Sequence, residues 1–196
     1  MNTDVVRKAA PASRSNSSRV KSRSVADVVY RSGTTADALA LEGLIRRHQQ
    51  EGHLLPRNRA ELETHAPRFV VATRRGRIVG CAELAPLSGR VAEVRSLVVD
   101  RSARGLGIGR ALVVALQRRA RVEGYETLCA FTHDAGYFVR MGFSIVPHTW
   151  VPEKIALDCH HCSQFRRCGQ HAVVFPIGSS QRPRTGAFVP LASLRA

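Results

Sequence analysis

Apolar positions become periodic near Val28, and Val28–Arg31 reads as a short strand. Thr34 or Thr35 can cap a helix running to about Gln49, with Ala38, Leu41, Leu44 and Ile45 on one face. Asn58 and Glu61 have capping-box spacing and predict a second, short helix. Arg68–Thr73 and Arg77–Leu84 are strand-like runs joined by a turn at Arg75-Gly76, and Val91–Val99 is a third, long strand. The strongest helix is Ile108–Glu123, where Ile108, Leu112, Leu116 and Ala120 recur every four residues, Val113 widens the stripe and Gly124 suits the C-terminal cap. Thr127–Thr132 reads as a strand and Tyr137–Met141 as a short helix stopped by Gly142. Ser144–Val146 and Ala172–Ile177 supply the last strands. The order β, α, α, β, β, β, α, β, α, β, β predicts a mixed α/β sheet with a central strand–loop–helix unit.

A length of 196 residues, 44% of them hydrophobic, fits one domain with its own core. Residues 1–24 are rich in Ser, Ala and Arg without periodicity and read as a disordered basic leader; residues 178–196 read as a tail. The leader also resembles a mitochondrial transit peptide in being Arg- and Ser-rich and acid-poor. The folded domain is expected over 25–177, with a Cys/His-rich insertion at 155–172. No apolar run is long enough to span a bilayer, and none near Met1 has the form of a secretory signal. A reducing cytoplasm is the expected compartment, because the five cysteines suggest no disulfide framework.

The net charge of +15 invites a nucleic-acid reading, but the two ends hold 8 of those charges and the middle keeps +7, ordinary for a protein that handles an anionic cofactor. An aromatic content of 6% offers little surface for base stacking, which argues against a non-catalytic nucleic-acid-binding module.

The candidate chemistry begins where the strand ending Leu97-Val98-Val99-Asp100 meets Arg104-Gly105-Leu106-Gly107-Ile108-Gly109-Arg110 and runs directly into the best helix. Glycines let backbone amides approach a ligand, and a helix N-terminus adds unpaired N–H groups and a positive dipole end. Together they suit a pyrophosphate. A dinucleotide fold would carry Gly-x-Gly-x-x-Gly early in a parallel unit, and a Walker loop would end in Gly-Lys-Ser/Thr; neither pattern is present. The bland alternative is a tight turn with a helix cap.

Arg104-Gly105-Leu106-Gly107-Ile108-Gly109 resembles the acetyl-CoA signature of the GNAT (Gcn5-related) N-acetyltransferases, and the element order matches that fold over residues 28–177. The resemblance implies acetyl-CoA as cosubstrate, with its pyrophosphate held by amides from Leu106 to Ala111, among them Gly107, Ile108, Gly109 and Arg110. It also implies that the pantetheine arm lies against Leu97, Val98 and Val99 as an added strand. Further segments are similar to the N-acetylglutamate synthases of arginine biosynthesis: Leu54-Leu55-Pro56-Arg57-Asn58, Gly80-Cys81-Ala82-Glu83-Leu84, Phe131-Thr132 with Tyr137-Phe138 and Gly142-Phe143, and Val151-Pro152-Glu153-Lys154. The cysteine stretch that follows resembles the C-terminal extension of short, stand-alone versions. The implied reaction is acetyl transfer to the α-amino group of L-glutamate by direct attack in a ternary complex.

Glutamate needs cationic partners for two carboxylates, and the candidates are Arg57, Arg95 and Lys154, the one lysine outside the leader. Glu93, at the start of the central strand, is the expected general base. The family's usual acid is a tyrosine four residues before the glycine of Gly-Phe; here that position is Phe138 and Tyr137 falls one residue earlier, so Tyr137, Thr132 or ordered water is the donor. Cys159, Cys162, Cys168 and His171 have Cys-x2-Cys-x5-Cys-x2-His spacing, which supplies four ligands for a structural zinc, against the alternative of family sequence without metal. The rival acceptors are another small amine, an antibiotic, or a protein N-terminus or lysine. The reading is compatible with an oligomer and calls for no membrane partner.

Overall fold

The computed structural model describes residues 27–49, 54, 56–162 and 164–178; the expected leader and the tail beyond Gly178 lie outside the described residues. The chain runs β1 (Val28–Ser32), α1 (Ala38–Gln49), α2 (Arg59–His65), β2 (Phe69–Arg74), β3 (Arg77–Pro86), β4 (Val91–Val99), α3 (Ile108–Val122), β5 (Thr127–Thr132), α4 (Ala135–Val139), β6 (Ser144–Val146), α5 (Pro152–Leu157) and β7 (His171–Pro176). The strands form one sheet in the order β1-β2-β3-β4-β5-β7-β6, antiparallel throughout except for the parallel pair β4–β5.

Helices cover both faces of the β2–β4 region. Val70, Ala72, Ala82 and Leu84 point to one face, where they meet the α3 stripe of Ile108, Leu112, Val113, Leu116 and Ala120. Phe69, Val71 and Cys81 point to the other, against Ala38, Leu41, Leu44 and Ile45 of α1 and Leu62 of α2. Successive strand residues face opposite sides, so a strand covered twice is apolar at every position; this is why β2 opens with four buried residues in succession. α3 lies so close to β3 that a Cβ on Gly80 would come within 3.0 Å of Ile108 Cγ2.

The predicted α1 begins through a 3-10 turn at Thr35–Asp37, where the Asp37 carboxylate accepts from the Thr34 amide at 2.8 Å. Arg31 holds the same carboxylate, and that hydrogen bond pulls the Asp37 pKa down to about 2. Asn58 Oδ1 caps α2 by accepting from the Glu61 amide at 2.8 Å. α4 starts two residues earlier than predicted because Asp134 caps it, accepting from the Tyr137 amide at 3.0 Å. One helix lies outside the predicted set: α5 opens on Pro152, a residue suited to the first helical turn.

Two irregularities of β4 frame the site. Between the pairs Cys81↔Val98 and Glu83↔Arg95, β4 spends one residue more than β3. This bulge falls at Ser96, whose φ of +50 is left-handed. β4 and β5 pair only from Val91↔Thr127 to Glu93↔Cys129, and past that point they diverge.

Candidate active site

The divergence of β4 from β5 opens a cavity of about 1070 Å³ that extends from the acidic and basic side chains of β4 and α5 to the loop before α3. Past Glu93 the β5-facing edge of β4 has lost its partner strand, so Leu97, Val98 and Val99, which line the cavity, offer backbone groups to an extended ligand.

The glycine loop closes one end. Gly105 and Gly107 have φ of +82 and +71, and a Cβ at either would meet nothing within 4 Å, so both face open space. Gly107 is the N-cap of α3, and Gly107, Ile108, Gly109 and Arg110 bring first-turn amides to the cavity. One residue expected among the donors behaves differently: Ala111 already donates its amide to the Gly107 carbonyl at 3.0 Å. The Leu106 side chain packs into the core. Arg104 lines the cavity and reaches back to the Val99 carbonyl at 3.3 Å.

Tyr137 reaches the same helix end. Its hydroxyl stands 2.5 Å from where a Gly109 Cβ would be, so glycine is what admits it. Burial raises the phenol's pKa, which keeps it a proton donor at neutral pH. Phe138, at the family's usual tyrosine position, packs edge-on against Phe143 in the core. Thr132 lines the cavity from the end of β5 and accepts from the Asp134 amide at 3.0 Å.

The opposite end is built from charged side chains. Glu93 Oε2 accepts from Arg95 Nε and Nη2 at 2.9 and 2.6 Å and from Lys154 Nζ at 2.9 Å. Glu93 is thereby the counter-ion of two cations rather than a free carboxylate. Asp158 Oδ2 bridges the same cations, 2.5 Å from Arg95 Nη2 and 2.7 Å from Lys154 Nζ. Burial disfavours the Asp158 carboxylate, but the hydrogen bond from Lys154 and the charge of Arg95 outweigh it and hold its pKa below the usual range. Lys154 also sits over the Phe131 ring, 5.4 Å from its centre. Arg57 borders this end too, with its guanidinium turned to Glu83, Glu61 and Ser96.

The candidate zinc ligands do not come together. Among the described residues no three His, Cys, Asp or Glu side chains form a metal-binding group. Cys159, Cys162 and Cys168 stand on successive 3-10 turns along the cavity, whereas His171 opens β7 and pairs with Thr132.

Two site residues escape a reading of the sequence. Asp158 lies four residues after Lys154, a helical pairing distance, but it carries that meaning only once α5 is known. Glu83 stands in an apolar strand, where a charge signals a buried partner without saying which.

An extended-chain cradle on β4 beside an anion-binding helix end defines a transferase site for a long, phosphate-bearing cosubstrate. The chain belongs to the acetyltransferase (GNAT) family, whose model matches residues 38–143. It is 33% identical over 149 residues to an uncharacterised N-acetyltransferase from Chlorobaculum tepidum, covering 76% of this chain and 96% of that protein. It is 32% identical over 126 residues to the amino-acid acetyltransferase of Pasteurella multocida, 63% of this chain but 29% of that one. The fold resembles that of the Neisseria gonorrhoeae N-acetylglutamate synthase complexed with coenzyme A and N-acetylglutamate, with a TM-score of 0.70 and 27% identity. That match covers 78% of this chain and 35% of the synthase. Among the described residues no helix is long and apolar enough to cross a membrane.

Proposed function

We propose that this protein transfers the acetyl group of acetyl-CoA to the α-amino group of a free amino acid, L-glutamate being the acceptor that its relatives suggest. The observation that carries the reading is the pair of cations, Lys154 and Arg95, beside the fork of β4 and β5. The pyrophosphate rests on the first-turn amides of α3 and the pantetheine arm adds to the β4 edge, so the thioester points toward the fork. The acceptor carboxylate enters between Lys154 and Arg95 by displacing Asp158, whose side chain is 38% exposed.

The neutral amine attacks the thioester carbonyl and the C–S bond breaks from the tetrahedral adduct. The amine proton leaves through water ordered by the Glu93 network, and the departing thiolate takes a proton from Tyr137 or from water beside Thr132. Bringing both reactants into one cleft supplies much of the rate. The cavity cysteines hold no covalent intermediate in this scheme. The test is release of free thiol from acetyl-CoA across an amino-acid panel. Turnover of glutamate at least tenfold faster than leucine or lysine is expected; equal rates for all three would leave only the broader acetyltransferase reading, with another small amine or a protein amine as acceptor.

A further inference from the structure

Glu83 is 0% exposed on a strand whose neighbours Ala82 and Leu84 are core. A carboxylate is not left unpaired in such a place. Its partner is Arg57, whose side chain is 7% exposed and whose Nη1 donates to Glu83 Oε2 at 2.7 Å. Nη1 also donates to Ser96 Oγ at 3.1 Å, so both of its hydrogens are used. Nη2 faces His65 Nδ1 at 3.5 Å, and Nε lies 2.9 Å from Glu61 Oε1, though out of line for a hydrogen bond. His65 brings no compensating charge, because burial and the neighbouring Arg68 push its pKa below the ordinary imidazole value.

A guanidinium grips a carboxylate through two parallel N–H groups, either Nη1 with Nη2 or Nε with Nη2. In Arg57 the first fork has lost Nη1 to Glu83 and Ser96, and the second is flanked by Glu61 and His65. Lys154 and Arg95 differ in sharing the partly exposed Asp158, which a substrate carboxylate can replace. The cleft therefore has one seat for a carboxylate instead of two. Beside it, Arg57 lies between the buried carboxylate of Glu83 and the more exposed one of Glu61, and offers hydrogen bonding without a free positive charge.

We propose that Glu83 is a specificity-determining residue: by neutralising Arg57 from beneath the cleft, it makes the enzyme indifferent to charge on the acceptor side chain, so that an amide is accepted as readily as a carboxylate. This rests on the amino-acid acetyltransferase reading above. A pocket that keeps Arg57 charged favours glutamate over the isosteric glutamine. One that has cancelled the charge does not.

The experiment compares kcat/KM for glutamate and glutamine in wild type and in Glu83→Gln, which preserves side-chain shape and a hydrogen bond to Arg57 while removing the buried one of its two counter-charges and leaving the more exposed Glu61. Wild type is expected to use the two acceptors within about threefold, and Glu83→Gln to raise the glutamate-to-glutamine ratio about tenfold or more. A merely structural role would lower both values together and leave the ratio alone. A wild-type preference for glutamate above tenfold, or an unchanged ratio in a folded Glu83→Gln, overturns the proposal while the acetyltransferase reading stands. The wild-type ratio decides the matter even where the variant does not fold. Turnover of neither amino acid overturns both.

Discussion

The two ends of the cavity are made of different material. The cosubstrate end is backbone: first-turn amides of α3, two left-handed glycines and the strand edge that β4 exposes past Glu93. The acceptor end is side chains from β3, β4, α2 and α5, in which three cations, Arg57, Arg95 and Lys154, meet the carboxylates of Glu61, Glu83, Glu93 and Asp158. Backbone donors present much the same surface whatever residues surround them, so that end recognises a ligand common to a whole family. A side-chain network is retuned by one substitution in any of its members, so on the proposed reading acceptor choice resides there.

The contrast is sharpest at Tyr137, a side chain that the cosubstrate end adds to its backbone. Tyr137→Phe keeps the ring packing against Phe138 and removes the hydroxyl over Gly109. We expect kcat to fall about 100-fold, the lower range for a lost proton donor, with little change in either KM. A full-rate Tyr137→Phe enzyme would assign the donor to water beside Thr132 and leave that end purely backbone. Lys154→Ala should strike the acceptor end alone. It strands Glu93, whose side chain is 4% exposed, with Arg95 as its remaining cation. Truncating one member of a buried charge pair costs about 2–5 kcal/mol, so kcat/KM for the acceptor should drop about 30-fold or more, with KM for acetyl-CoA within about threefold. A matching rise in the acetyl-CoA KM would mean that the two ends are not separable.

Gly107→Val is the reciprocal probe. It places a side chain where the pyrophosphate approaches and strains a φ of +71. Calorimetry should register acetyl-CoA binding weakened at least tenfold, about 1.4 kcal/mol, with the fold retained. Undiminished affinity would remove the loop from the site. The smallest signal concerns order of events. If both ends are filled at once, initial rates with both substrates varied give intersecting lines. Parallel lines, or an acetyl group found by mass spectrometry on Cys159 or Cys162, would replace direct transfer with a covalent relay.

Much of the cosubstrate end is legible in the sequence, because its parts are neighbours along the chain. Strand, glycines and helix follow one another from Val91 to Val122, and each has a local signature. What stayed hidden there was detail, such as the Ala111 amide already committed to Gly107. The acceptor end was read less well. Arg57, Arg95 and Lys154 are identifiable as cations, but beside its near neighbour each has a further partner 26, 63 or 61 residues away in the chain. No periodicity encodes such pairs. The sequence leaves the cysteine cluster open between zinc and no metal for the same reason: ligand spacing is a sequence property, but convergence is not, and β7 carries His171 to a partner on β5.

The sequence by itself determined most of the elements, the two apolar faces of the central strands and the glycine-rich start of α3, since these depend on residue spacing and backbone freedom over a few turns. The tertiary structure alone decided that β4 would bulge at Ser96 against β3 and part from β5 past Glu93, and that Glu83 would lie beneath Arg57. Both are consequences of register between strands and of charge burial. They are settled by which distant groups share a small volume of low polarity, and that is fixed only when the sheet has closed over its helices.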